Sequence, residues 1–279
     1  MQKTLLELYR KPQVFCNLPS QGKFYLKGIK LGLDNQLSVR AMTASDEIML
    51  NNPEALLNGE AIINLIASCC PDIADPYEVP LIDLDVLLIS IRHATFGETL
   101  EFTSSCPKCK EINTLNLHVS QFMDNINFVD KIPTFNINED IKCYVRPVNY
   151  LDHTKTELLQ FEFNSLLRNM DVTNLSDYPE KEEIKTKKNQ LIVAQLNTIA
   201  NCVFKIAVPD REITDRKEIN DFIIELDKVN FSKLEQIVRD LNKNTLNKKF
   251  NLTCPQSNCG EKFEQEVNFD DSNFFGKGF

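Results

Sequence analysis

An internal repetition constrains the fold of this chain more than any other feature of its sequence. Four short patterns occur in the first half and return in the same order in the second half. The matching stretches are Val39–Asp46 and Val145–Asp152, Ile66–Cys69 and Ile199–Cys202, Leu84–Arg92 and Phe231–Arg239, and Phe102–Cys109 and Phe250–Cys259. The offset between matching positions grows from 106 to 133 and then to 147 and 148. Insertions into the second copy would produce this order and chance matches would not, so we predict a tandem duplication.

Each copy is predicted to contain a strand, two or three helices and then a β-hairpin with cysteines at its turn. Thr43 and Asn149 each precede an acidic residue by three positions at the predicted start of a helix, which is a capping pattern. The predicted class is α+β with helices dominant, built as two related halves, residues 1–123 and residues 124–279. The main insertion of the second half includes Pro179–Lys188, whose dense charges of both signs predict a solvated loop or helix start.

Two cysteine pairs carry the strongest chemical signal. Cys106-Pro-Lys-Cys109 and Cys254-Pro-Gln-Ser-Asn-Cys259 each stand between two strand-like segments, at the same place in the two copies. A hairpin with two thiolates at its turn is half of a zinc-ribbon site, and two such hairpins complete a tetrahedron around Zn²⁺. We predict one structural zinc ion, shared by the two copies about a pseudo-twofold axis, with four ligands: Cys106, Cys109, Cys254 and Cys259. Four thiolates leave no position for a catalytic water.

Three other interpretations of the cysteine pairs stay open. A redox-active pair, as in thioredoxin-like CxxC motifs, would open a helix after a strand, whereas strand residues follow here. Each half-site could instead pair with another subunit, or the thiols could be relics that have lost their metal. The second pair also departs from the CxxC spacing by two residues, which bears on the metal geometry.

The other cysteines are predicted to be small buried hydrophobes, because they lie in apolar surroundings: Cys16, Cys69, Cys70, Cys143 and Cys202. Their uneven placement does not suit a disulfide framework. We therefore expect synthesis in a reducing cytoplasm.

No other constellation in the sequence predicts catalysis. The three histidines follow no metal or catalytic spacing, and the 8 glycines form neither a GxGxxG pattern nor a P-loop. Asp83 and Asp85 stand at the predicted start of a helix, where a carboxylate favours the helix dipole, so capping accounts for them. We therefore predict a protein that is not an enzyme.

Two aromatic segments are candidates for docking onto a partner. The first is a turn sequence with Pro and Gly that carries Phe24 and Tyr25, and the second is a glycine-flanked stretch with Phe274, Phe275 and Phe279. Aromatic anchors of this kind suit insertion into a groove of another protein. The alternative is that each segment folds back onto its own domain.

Charge and hydropathy argue against two classes of partner, nucleic acids and membranes. The net charge of −9 disfavours general affinity for nucleic acid or for an anionic membrane. The longest apolar runs are too short to cross a bilayer, and no signal-peptide pattern precedes them.

Five stretches together carry a family resemblance: Leu18–Tyr25, Val39–Thr43, Leu57–Ile62, Asp75–Asp85 and the Cys106–Cys109 hairpin. They resemble the baseplate proteins of T-even-like contractile-tailed phages, a group that includes hub subunits and hub-assembly proteins. The resemblance is clearest over the first ~120 residues and returns at the C-terminal cysteine hairpin. It implies a structural or assembly role at the centre of a tail baseplate, in the bacterial cytoplasm during assembly and then in the virion.

This resemblance implies partners among other baseplate or tail proteins, and self-association of the chain is a further expectation. The runner-up function is a zinc-ribbon module that binds nucleic acid or associates with transcription. That function predicts a basic face near the cysteines. Four lysines do lie near the cysteines in sequence: Lys108, Lys110, Lys249 and Lys262. However, four glutamates lie in the same stretches: Glu101, Glu111, Glu261 and Glu264.

Overall fold

The computed structural model describes residues 9–124, 126–169, 180–243 and 248–266, together with Leu5, Leu246 and Phe275. Within these residues there are nine α-helices: α1 (Ala44–Leu50), α2 (Pro53–Leu57), α3 (Glu60–Cys69), α4 (Leu81–Phe96), α5 (Val119–Met123), α6 (Tyr150–Asn169), α7 (Glu180–Asn201), α8 (Arg216–Ile224) and α9 (Lys228–Leu241). The strands are β1 (Val14–Asn17), β2 (Gln36–Val39), β3 (Thr99–Ser105), β4 (Ile112–His118), β5 (Thr134–Asn136), β6 (Lys142–Val145), β7 (Val203–Val208), β8 (Arg211–Ile213), β9 (Lys249–Thr253) and β10 (Lys262–Glu266). The predicted mixture of helices and strands is confirmed.

All the strand pairs are antiparallel, and the sheets are small. Strands β1 and β2 form a ribbon, β5-β6-β7-β8 form a four-stranded meander, and β3–β4 and β9–β10 are separate hairpins. Val14 lies opposite Val39 in the first ribbon, and Phe135 lies opposite Cys143 in the meander. The two cysteine motifs thus occupy the turns of the two hairpins, where the sequence placed them.

Buried apolar side chains form two clusters. The first combines β1, β2 and helices α3 and α4 with residues of both hairpins, and the second lies between the four-stranded sheet and helices α7, α8 and α9. Leu252 of β9 belongs to the first cluster, and the ring of Phe250 meets that of Phe122 edge-on with centroids 4.5 Å apart. The hairpin of the second half therefore packs against the core of the first half. The division at residue 123 stays a prediction.

The two helices that follow β2 and β6 each begin with a reciprocal pair of hydrogen bonds between the capping residue and the acidic residue three positions later. The Thr43 hydroxyl accepts from the Asp46 N–H, and the Asp46 carboxylate accepts from the Thr43 N–H. At α6, the Asn149 amide oxygen accepts from the Asp152 N–H, and its Nδ2 donates back to the Asp152 carboxylate. Each arrangement satisfies a backbone donor that the helix itself leaves free.

Further hydrogen bonds recur at the offsets read from the sequence. The Arg40 N–H donates to the Cys69 carbonyl over 2.9 Å, and the Arg146 N–H donates to the Cys202 carbonyl over 2.7 Å. The partner residues lie at the offsets 106 and 133 that the repeated patterns give. One strand-to-helix junction therefore has the same local geometry in both halves.

A second pair of bonds ties each junction to a later helix. The Met42 N–H donates to Thr95 Oγ1 over 3.0 Å, and the Val148 N–H donates to Asn242 Oδ1 over 3.2 Å. Thr95 and Asn242 are related by the offset of 147. Both halves thus join strand, helix and later helix through corresponding atoms.

The offset between the matching stretches grows over two parts of the chain. Helices α6 and α7 form a long antiparallel pair, joined near one end by a Thr156–Thr198 hydrogen bond and farther out by a Lys187–Glu162 ion pair of 2.6 Å. The charged run predicted as a loop or helix start coincides with the beginning of α7 at Glu180, and Pro179 lies outside the described residues. Strands β7 and β8 with helix α8 occupy the other part.

Candidate metal centre

The turns of the two hairpins bring four thiols together. Cys106 Sγ lies 3.7 Å from Cys259 Sγ, and Cys109 Sγ lies 3.7 Å from Cys254 Sγ. All four sulfurs lie within 4.8 Å of one another. Cys106 and Cys254 are buried, whereas Cys109 and Cys259 are half-buried. Each hairpin therefore contributes one inner and one outer thiol.

Sulfur positions of this kind suit a tetrahedral ion. With a Zn–S bond of about 2.3 Å, the edge of a regular S₄ tetrahedron is about 3.8 Å. The two contacts of 3.7 Å match that edge. A disulfide would need sulfurs about 2.05 Å apart, so the cluster has the dimensions of a metal site rather than of a crosslink.

In the first hairpin, the backbone shapes the turn around Cys106. The Cys106 N–H donates to the Glu111 carbonyl over 3.0 Å, and the Lys110 N–H donates back to the Cys106 carbonyl over 2.9 Å. Lys110 adopts a left-handed conformation, with φ +62°. Backbone N–H groups of Cys109 and then of Lys108 stabilise the Cys106 thiolate and lower the pKa of this thiol to about 7. A thiolate is the form that binds a metal.

The second hairpin repeats this turn despite its two extra residues. The Cys254 N–H donates to the Glu261 carbonyl over 2.8 Å, as Cys106 does to its own partner. Gly260 has φ +60°, at the position that corresponds to Lys110. Glycine carries no steric penalty in this region, which explains why the sequence has one there. The longer spacing is absorbed in the loop before Cys259.

A polar residue that the sequence analysis did not single out lies beside the sulfurs. Asn113 of β4 is only 5% exposed, and its Nδ2 lies 3.8 Å from Cys254 Sγ and donates to the Glu111 carbonyl. Its Oδ1 accepts from Gln256 Nε2 over 2.9 Å, so one amide joins the two hairpins. A pattern of alternating polar residues in a strand gives no signal for such a role.

Several charged residues around the cluster are paired, either across the hairpins or within one. Lys108 forms an ion pair of 3.1 Å with Glu261, and Lys249 lies 3.5 Å from Glu264. Ser104 donates to Gln265 over 3.1 Å, farther along the same interface. Two of the four lysines behind the nucleic-acid hypothesis are thus neutralised by glutamates.

The aromatic residues predicted to dock onto a partner are differently placed. Phe24 is 2% exposed and Tyr25 8% exposed, so both lie in the chain's own core and offer no surface to a partner. Phe275 is buried as well, in the first core, while Phe274 and Phe279 lie outside the described residues. For the three aromatic residues that the structure describes, the alternative prediction holds: their side chains pack into the chain's own core.

Asp83 has a different role from the capping that the sequence suggested. It is fully buried on α4, and its carboxylate accepts three hydrogen bonds from the segment between β1 and β2: from the Ser20 N–H over 2.8 Å, from Ser20 Oγ over 2.5 Å and from Tyr25 Oη over 2.9 Å. Burial raises the pKa of Asp83 to about 6, although these hydrogen bonds act in the opposite direction. Asp85, by contrast, forms an ion pair with Lys248.

The five cysteines outside the cluster are buried, as predicted: Cys16, Cys69, Cys70, Cys143 and Cys202. Burial raises the pKa of Cys16 to about 11 and that of Cys202 to about 12. These thiols are protonated at neutral pH and fill the core.

Hairpins that gather four cysteines, set on a mixed helix-and-sheet framework, define a protein with a candidate structural metal centre. The family model described as "T4 bacteriophage base plate protein" matches residues 11–276. The chain belongs to this family, and the resemblance seen in the sequence is confirmed. Comparisons with curated proteins and with solved structures give no significant match. Among the described residues, no helix has the length and apolar character needed to span a membrane.

Proposed function

We propose that this protein is a structural or assembly component of the phage tail baseplate hub and acts through protein–protein contacts. A structural zinc ion, bound by four thiolates, fastens its two halves together. The observation that carries the proposal is the cluster of four cysteines, contributed by two hairpins far apart in a baseplate-family chain. The ligands are Cys106, Cys109, Cys254 and Cys259.

Zinc in this position would act on the fold rather than on a reaction. The ion joins two turns that 144 intervening residues separate, and such a crosslink removes conformations from the unfolded chain. The hairpins already share the Phe122–Phe250 contact and the Lys108–Glu261 ion pair. The metal would hold this contact rigid before assembly, which agrees with a non-enzymatic role.

The two halves are proposed to be copies from a tandem duplication. Their strand-to-helix junctions share two hydrogen bonds from backbone N–H groups, one to a carbonyl and one to a side-chain oxygen, and a reciprocal helix cap at corresponding positions. The hairpin turns share a third bond, from each inner cysteine to a glutamate carbonyl. Duplication explains why a half-site occurs twice and why the offset between the halves only increases.

Other baseplate and tail proteins are the proposed partners. The net charge of −9 and the paired lysines near the cluster favour protein over nucleic acid. Assembly would take place in the host cytoplasm, and the protein would then remain in the tail. Mass spectrometry of purified baseplates tests whether it is retained or leaves after assembly. Complete baseplates from a phage with a stop codon early in this gene would refute the assembly role.

Elemental analysis of the purified full-length chain tests the zinc site. We expect one zinc per chain, and none in the Cys254→Ser/Cys259→Ser variant, which should also unfold at a lower temperature. The matched control is Cys69→Ala/Cys143→Ala, which removes two buried thiols but leaves the cluster, so its zinc should stay at one per chain. Metal-free wild-type protein, purified without chelator from zinc-supplied cells, would refute the zinc assignment. It would leave the family membership untouched.

A further inference from the structure

Within the chain, a turn of the first half docks onto a turn of the second. We name Glu78–Leu81, which leads into α4, the inserted turn, and Arg146–Tyr150, which leads into α6, the receiving turn. The Leu81 N–H donates to the Val148 carbonyl over 2.7 Å, and the Tyr150 N–H donates to the Val79 carbonyl over 2.9 Å. These two bonds form a short antiparallel bridge between the halves.

An ion pair completes this contact. Arg146 Nη1 lies 2.5 Å from Glu78 Oε2, and Arg146 is almost fully buried. Its Nε donates to the Asn201 carbonyl over 3.0 Å, which fixes the guanidinium. The receiving turn therefore binds three groups of the inserted turn: the Glu78 carboxylate, the Val79 carbonyl and the Leu81 N–H.

The second half contains a counterpart of the inserted turn. At the offset of 147, Glu225–Lys228 leads into α9 as the inserted turn leads into α4. The Val79 N–H donates to the Pro76 carbonyl over 3.4 Å, and at the corresponding place the Leu226 N–H donates to the Ile223 carbonyl over 3.3 Å. We name Glu225–Lys228 the free inserted turn.

The first half contains a counterpart of the receiving turn. Arg40–Ala44 corresponds to Arg146–Tyr150 and shares its backbone bonds to the following helices. Among the residues that the structure describes, Arg40 Nε is buried and has no hydrogen-bond partner. We name Arg40–Ala44 the free receiving turn.

Both free turns are less covered than their counterparts, although Arg10 Nη2 donates to the Ala41 carbonyl of the free receiving turn over 3.0 Å. Ile82, just after the inserted turn, is 4% exposed, but Val229, just after the free inserted turn, is 63% exposed. Tyr150 is buried in the receiving turn, whereas the corresponding Ala44 is exposed, as is Glu225. Within the described part of the chain, no ion pair engages Glu225 or Arg40.

We propose that these two free turns bind each other between copies of this chain. The free inserted turn of one copy docks onto the free receiving turn of the next, so that Glu225 pairs with Arg40 as Glu78 pairs with Arg146. The occupant is a second copy because this chain carries both complementary surfaces, with opposite charges at corresponding positions. Such a contact is head-to-tail, so it produces a ring where the rotation closes and a filament where it does not.

The contact between copies should be weaker than the one within a chain. The intrachain turns are tethered, which supplies an effective concentration on the order of millimolar, and two separate copies lack that help. Self-association is therefore measured by sedimentation velocity from about 1 μM to about 1 mM protein, the range of transient contacts. The full-length, metal-loaded chain is used throughout.

Charge reversal on each side provides the test. Arg40→Glu and Glu225→Arg should each weaken self-association at least about tenfold, because each opposes two like charges. An equimolar mixture of the two variants should associate again, since the glutamate introduced in one variant then meets the arginine introduced in the other, while the native pair also re-forms. Lys188→Glu, a charge reversal at an exposed position of α7, should associate like the wild type.

Three results would overturn the proposal: a wild-type chain that stays monomeric throughout, single variants that associate like the wild type, or a mixture that does not recover. A monomeric wild-type protein would mean that the two free turns do not bind each other and are available to other baseplate proteins. Should Arg40→Glu fail to fold, Ala44→Glu blocks the same turn from an exposed first helical position, where an acidic residue is favourable. All these variants keep the four thiols, so their zinc content separates this outcome from a failure of the metal site.

Discussion

The buried carboxylate of Asp83 makes the stability of this protein depend on pH in a direction opposite to that of most acids. Its pKa in the folded chain is raised from an ordinary value of 3.8 to about 6, first of all by burial. The folded state therefore holds this proton between about pH 4 and pH 6, where the unfolded state has released it. Since the folded state binds more protons in that window, the contribution of Asp83 to stability falls as the pH rises through it.

The size of the effect follows from the two pKa values. A difference of about two units corresponds to about 3 kcal/mol at 1.36 kcal/mol per unit. Solvent does not reduce this free energy by screening, because Asp83 is fully buried. The loss should be complete just above pH 6.

The variant Asp83→Asn isolates this contribution. Asparagine has nearly the same shape and can still accept from the Ser20 N–H, but it carries no titratable proton. Urea unfolding of both chains at half-unit steps from about pH 4 to about pH 7 gives their free energies of unfolding. We expect the wild type to lose about 2 kcal/mol relative to Asp83→Asn across this range, because the unfolded state has already released part of this proton at pH 4. The pH dependence of the thiol cluster cancels, since both chains contain it.

Parallel curves for the two chains would refute this reasoning. They would mean that Asp83 titrates normally, and that the hydrogen bonds from Ser20 and Tyr25 offset the cost of burial in full. A difference that grows in the opposite direction would mean that these hydrogen bonds outweigh burial.

Local patterns in the sequence predicted the two cysteine hairpins, because the residues of each hairpin are close together in the sequence. Each cysteine pair lies within six residues of sequence, and the flanking alternation identified a hairpin around it. The meeting of the two hairpins is a long-range event, and it was predictable only because the halves repeat each other. The same repetition located the helix starts at Thr43 and Asn149.

The features that the sequence analysis missed depend on contacts between distant segments. A carboxylate three residues into a helix has the same pattern whether it caps the helix or is buried, and only the loop at Ser20 makes Asp83 an internal acceptor. Tyr25 is likewise buried in a cluster that includes elements much later in the chain, and the neighbouring Phe24 is buried as well. Asn113 gave no signal because its partner, the second hairpin, is about 140 residues away.

Two further predictions concern the packing of the two cysteine hairpins against each other and against the core. Asn113→Ala should weaken zinc binding by about tenfold to a hundredfold, as for groups that orient metal ligands, and competition with a chromophoric chelator measures it; unchanged affinity would remove Asn113 from that role. Phe122→Ala should lower the free energy of unfolding by ~3–5 kcal/mol, because the ring is fully buried and packs edge-on against Phe250. Since Phe250 belongs to the cysteine hairpin of the second half, this cavity should also loosen the metal site and raise the dissociation constant for zinc. Phe128→Ala, at a 46% exposed position, is the control and should change stability by less than ~0.5 kcal/mol. A large loss of stability in Phe122→Ala with unaltered zinc affinity would show that the four thiols, and not the core beneath them, hold the hairpins together.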